Sequence, residues 1–97
     1  MAENWTPKAI DLATNISTVS PTAVIVRGYH VNTTVSAHVT NINDGATTIF
    51  MIPASITAGT SVEFASDEGV IFENSLIIDP DDSATGNITI LYKERVQ

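Results

Sequence analysis

The sequence predicts an all-β fold: a small antiparallel β-sandwich or barrel-like domain of about 6–8 short strands with an extended N-terminal arm. Three observations carry the expectation. Stretches rich in β-branched and aromatic residues recur from Ala23 onward, as in AVIVRGYHVN and TTIFMI. Several of them alternate apolar and polar residues with a period of two. Turn residues (Asp, Gly, Asn, Pro) separate them at intervals of about 8–12 residues.

The first 22 residues differ from the rest. They contain Pro7 and Pro21 and alternate weakly at Ile10, Leu12, Thr14 and Ile16. Such a segment reads as an arm laid across a neighbouring surface or as a first strand. Thr6-Pro7 also resembles a helix cap followed by a first-turn proline, which would start a helix over Pro7 to Thr14. Beta-branched Thr14, Ile16, Thr18 and Val19 oppose its continuation. The division expected is an arm over 1–22 and a β-sandwich domain over 23–97. Trp5, Ile10, Leu12 and Ile16 are the arm's apolar side chains and the candidates for self-association or partner contact, with Trp5 as the anchor.

The remaining elements follow in order. AVIVRGYHVN is a strand, and TTVSAHVTNI a second, with Val35, Ala37 and Val39 inward and Ser36, His38 and Thr40 outward. Asp44-Gly45 signals a hairpin, because both residues tolerate positive φ. TTIFMI is the returning strand, stopped by Pro53, which has no donor for a ladder. SITAGT makes a loop with Gly59 at the special-φ position. TSVEF is a short strand with Val62 and Phe64 on one face and Ser61 and Glu63 on the other. VIFENSLIID, interrupted at Glu73-Asn74, is either one bulged strand or two strands around a turn. GNITILY closes the chain with Ile88, Ile90 and Tyr92 on one side and Asn87, Thr89 and Leu91 on the other.

Composition removes several function classes. With 97 residues the chain is one small domain whose core is only marginally sufficient, so help from partner subunits is expected. There is no cysteine, hence no disulfide or thiolate metal site. The net charge is −7 and no Lys or Arg lies between Arg27 and Lys93, so nucleic-acid backbones and anionic membranes meet repulsion. No run of ~18 apolar residues is present. MAENWTPK has neither a basic start nor an apolar signal core, which predicts folding without export by the common secretory route. The sequons at Asn4, Asn15, Asn32 and Asn87 are then incidental to an Asn-, Ser- and Thr-rich sequence. Strand edges are usually blunted with lysine, and the β region has almost none. Its edges must be covered by the arm, in cis or by exchange, or by other subunits.

The densest group of oxygen ligands is IIDPDDSATGN. Against a calcium loop starting at Asp79, Asp81 and Ser83 fall at ligand positions, but Ala84 occupies the glycine position and Ile90 the closing glutamate. Asp79, Asp81 and Asp82 stay as candidates for a looser metal site. The structural reading is a turn with Pro80 at its second position, Asp and Ser bonding back to the backbone, and Gly86 leading into the last strand. His30 and His38 lack a third ligand for zinc, and Ser36 with His38 makes no triad. No GxxxxGK[ST], GxGxxG or GxSxG occurs. No catalytic residue and no cofactor is therefore assigned, and the chain is not expected to be an enzyme.

The stretch GVIFENSLIIDPDDSATGNITILYKER, with VRGYHVNTTVSAHVTNINDGATTIFMIPASITAGTSVEF before it, resembles small β-rich virion proteins of tailed bacteriophages over about Ala23 to Lys93. The resemblance lies in strand and turn layout and in the closing TGNITILY phrase. It implies a structural protein of the virion, a capsid decoration or cement protein that binds its own copies, as a trimer, and the major capsid protein. The implied mechanism is mechanical: apolar edges and the arm bury surface between shell subunits, so that deleting residues 1–20 would weaken particle binding while leaving most β structure intact. The alternatives are a tail or head–tail connector component, and a carbohydrate-binding β-sandwich module on the virion.

Overall fold

A computed structural model of the chain describes residues 5–13, 16–64 and 69–94. Their strands are β1 (Thr6–Asp11), β2 (Ser17–Ser20), β3 (Val24–Thr33), β4 (Thr40–Asp44), β5 (Thr47–Ile52), β6 (Ser61–Glu63), β7 (Val70–Phe72), β8 (Leu76–Pro80) and β9 (Asn87–Glu94). They form two antiparallel sheets, and the fold is a small all-β sandwich. The five-stranded sheet runs β1-β9-β3-β6, with β7 also on β3; the four-stranded sheet runs β2-β8-β4-β5. The radius of gyration of 12.6 Å is close to the ~13 Å of a compact 100-residue domain.

Alternation decides which side chains close the core. β9 buries Ile88 and Ile90, β8 buries Leu76 and Ile78, and β3 buries Val24, Val26, Tyr29 and Val31. Each such side chain contributes about 1.5–3 kcal/mol relative to exposure. Phe64 completes the core from beside β6, stacked on Phe50 at 4.1 Å and edge-on to Tyr29 at 6.1 Å. Burial raises the pKa of the Tyr29 phenol.

β6 and β7 are successive pieces of one edge. Gly28, Tyr29 and His30 pair with Glu63, Val62 and Ser61, while Val24, Ile25 and Val26 pair with Phe72, Ile71 and Val70. The chain leaves and regains the edge opposite Arg27, whose carbonyl accepts a hydrogen bond from the Phe64 N–H at 2.9 Å. Gly28 is required here for space: a Cβ at that position would collide with the carbonyl oxygen of Val62.

The segment read as an arm is two strands of the sandwich. β1 pairs with β9 from Thr6↔Tyr92 to Asp11↔Asn87, and β2 pairs with β8 from Ser17↔Ile78 to Ser20↔Leu76. The segment therefore supplies one edge strand to each sheet. Ile10 and Leu12 are 5% and 0% exposed, so they belong to this chain's own core and offer no surface to a partner. In its described residues the segment takes the first-strand alternative, and Ile10 and Leu12 tie it to the shared core. Apolar side chains that fill the shared core must stay with it.

Other differences are local. Residues 34–39 form a connection rather than a strand, and the inward phase slips within it: Val35 is buried, but Val39 is 40% exposed and Thr40 is fully buried. Pro80 is the buried last residue of β8, and the turn starts one residue later, with the Ala84 N–H donating to the Asp81 carbonyl at 2.9 Å. In the hairpin, Asp44 pairs with Thr47 as a strand residue, and only Gly45 takes positive φ (61°), the pattern of a type II′ turn. VIFENSLIID resolves into β7 and β8, which lie in different sheets.

Candidate functional site

The outer faces of the two sheets differ in chemistry. On the five-stranded sheet, β3 carries two bulges against β9, at Arg27 and at Asn32. A bulge adds a residue and re-aims its side chain. Both bulged residues serve this face. Arg27 lies 3.5 Å from the Glu63 carboxylate. The Asn32 amide donates to Asn87 Oδ1 and Thr89 Oγ1, both at 2.8 Å. His30 Nδ1 and Ser61 Oγ share a hydrogen bond of 2.6 Å. Trp5 is half-buried at the same face, with Lys93 Nζ at 4.7 Å and the Arg27 guanidinium carbon at 5.7 Å from its ring centroid. Its indole Nε1 is buried without a hydrogen-bond partner.

The four-stranded sheet presents apolar and acidic groups. Asn41 pairs across with Met51 on one side and Asp79 on the other, which sets the three in one row. With Val39, Pro80 and Asp81 they line an open depression of about 410 Å³. Met51 is 62% exposed, and Ile49, the bulged residue of β5, is 39% exposed. Lys8, Arg27 and Lys93, the cations among the described residues, all lie on strands of the other sheet. Within β4, Thr40 Oγ1 and Asn43 Oδ1 are buried without a hydrogen-bond partner.

The acidic stretch is a turn. Asp81 Oδ1 accepts the Ser83 N–H at 2.9 Å and sits 3.8 Å from His38 Nδ1. Thr85 and Ser36 tie the turn to the 34–39 connection through a Thr85 N–H to Ser36 Oγ bond and a Ser36 N–H to Thr85 carbonyl bond, each 3.0 Å. Among the described residues no three His, Asp or Glu side chains converge on a metal-sized site, so Asp79, Asp81 and Asp82 are not brought together as ligands. His30 and His38 have separate partners, Ser61 and Asp81.

Asp44 has a role that the hairpin signal alone does not show. Its carboxylate accepts the N–H groups of Glu73, Asn74 and Ser75 at 3.0, 2.9 and 3.2 Å, and Ser75 Oγ accepts the Gly45 N–H at 3.0 Å. The β4–β5 turn is thereby clamped to the point where the chain crosses from β7 to β8. Desolvation pushes the Asp44 pKa up, but the hydrogen bonds from Asn74, Glu73 and Ser75 outweigh it and the net shift is downward.

Of the four partner-contact candidates, Ile10 and Leu12 are core, Trp5 packs against its own chain, and Ile16 alone is widely exposed, at 59%. The sequence reading missed the exposed Val39, Ile49, Met51 and Ile71; the exposure of Val39 follows from a loop slip and that of Ile49 from a bulge. In comparisons with known proteins, no family model, no curated protein and no solved structure matches this chain.

Proposed function

We propose that this chain is a structural protein that works by binding other proteins and, following the resemblance in strand and turn layout, a capsid decoration or cement protein of a phage particle. The observation that carries the binding role is the exposed apolar group Val39, Ile49 and Met51 along and beside the β5 edge. Exposed apolar side chains next to unpaired ladder groups are costly to leave in water and are covered in a larger assembly. In this reading the copies associate as trimers and bury the edge against the major capsid protein, opposing subunit separation. Shell contacts would then replace the core area that a small domain lacks.

Immunogold labelling of purified virions, with antibody raised against the isolated chain, tests the reading. Label distributed over the shell is expected. Label confined to the tail or neck would replace decoration by the tail or connector role, and unlabelled virions would remove the particle role. Light scattering after size exclusion tests self-association, where a monomer at high concentration counts against the trimer.

A further inference from the structure

We propose that the β5 edge, together with the Val39–Met51–Pro80 depression, accepts an added strand from a foreign protein segment that alternates apolar and basic side chains. The inference rests on the reading of this chain as a protein-binding module and names the chemistry of the partner.

A sheet edge takes a further strand when its outward N–H and C=O groups are open and nothing along it obstructs pairing. Three of the four edges carry obstructions. β1 contains Pro7 and Lys8. β2 is four residues long, shifts register between Thr18 and Ser20, and runs into Pro21. The β6/β7 edge is broken opposite Arg27 and carries the charged Glu63. β5 is TTIFMI, six residues without a charge or a proline. Its one protective device is the bulge at Ile49, which leaves Phe50 to Ile52 in regular pairing with β4.

The surroundings select the occupant. The depression beside Met51 has an apolar lining of Val39, Met51 and Pro80 and carboxylates from Asp79 and Asp81. Successive side chains of an added strand point to opposite faces, so every second residue would lie over the outer face where this depression opens. A Lys or Arg there lays its aliphatic stem along Met51 and adds positive charge to a face whose carboxylates, Asp79 and Asp81, lie beyond β4. A second copy of β5 would bring no cation and a second set of the same carboxylates, since the described cations belong to the other sheet. Charge complementarity therefore favours a basic foreign strand over self-pairing.

Fluorescence anisotropy with three labelled synthetic peptides tests the proposal on the full chain: alternating Val and Lys, alternating Val and Glu, and the Val/Lys peptide N-methylated at every second residue. The Val/Lys peptide is expected to bind, more weakly as salt rises. Binding should fall at least about tenfold with Met51→Lys, fall by a smaller, salt-sensitive factor with the double change Asp79→Asn and Asp81→Asn, and vanish for the N-methylated peptide. Circular dichroism establishes that both variants keep the β spectrum. Equal binding of the Val/Glu or N-methylated peptide, or binding indifferent to Met51→Lys, would overturn strand addition. So would a dimer in light scattering that Met51→Lys abolishes, because the edge would then be self-pairing. The outcome is separable from the particle reading. Labelled virions without peptide binding overturn strand addition alone, whereas peptide binding by a chain that labels no virion supports the edge site and removes the particle role.

Discussion

The five-stranded sheet carries charge pairs and side-chain hydrogen bonds on its outer face, and the four-stranded sheet carries an apolar and acidic depression. The first spends Arg27 on Glu63 and Asn32 on Asn87 and Thr89, and places Lys93 over Trp5. The second leaves Met51 and Ile49 exposed beside a depression flanked by carboxylates, whereas the exposed apolar residue of the first is Ile71 on β7. The difference teaches that charge separates the two faces: among the described residues the cations belong to the five-stranded sheet, and the depression on the other is acidic.

Removing residues 1–20 is the strongest way to break the comparison, because it strips an edge strand from both sheets and removes Ile10 and Leu12 from the core. Loss of the cooperative thermal transition is expected, since truncating one buried Leu or Ile to Ala already costs about 2–5 kcal/mol. A truncated chain with an unchanged melt would restore the arm as a separate element. Asp44→Asn addresses the clamp between the sheets and should lower stability by about 1 kcal/mol, because its hydrogen bonds are charge-assisted yet partly solvated. The folded pKa of Asp44 is depressed, so its contribution is fully present above the unfolded value of about 4 and is lost as pH falls through the folded value. Urea melts should therefore show the variant's deficit at pH 7 shrinking in acid, and a deficit independent of pH would remove the charge from the explanation. Smallest are Met51→Lys and Arg27→Ala, each expected within about 0.5 kcal/mol of the parent by denaturant melt. A large loss from Met51→Lys would mean that the open face already serves the fold.

Much of the fold was legible because alternation is a local signal. The faces of GNITILY and TSVEF follow from neighbours two residues apart, as does the hairpin at Gly45. Sheet membership was not legible, since a period of two tells which face is buried but not which strand lies alongside. β7 and β8 are contiguous in VIFENSLIID yet sit in different sheets, and their partners β3 and β4 lie far back in the chain. The first segment misled for the same reason: Ile10 alternates too briefly to signal a strand until Ile88 stands opposite it. The candidate site was the least visible part. The exposure of Val39 depends on a slip between residues 34 and 40, and that of Ile49 on a bulge against Asn43. The Asp44 clamp needs Asn74, 30 positions away.

The position of β9 between β1 and β3 has a consequence for synthesis. The central partner of the five-stranded sheet is the ninth strand in chain order, so β1 waits on the ribosome without a ladder neighbour until almost the whole domain has been made. Among the described strands only the β4–β5 hairpin can pair locally while the chain emerges; the others pair by long-range closure, which is slow and leaves β-prone segments exposed to other nascent copies. High expression of this chain therefore favours contact between incomplete copies, and the charge of −7 provides the repulsion that keeps them apart.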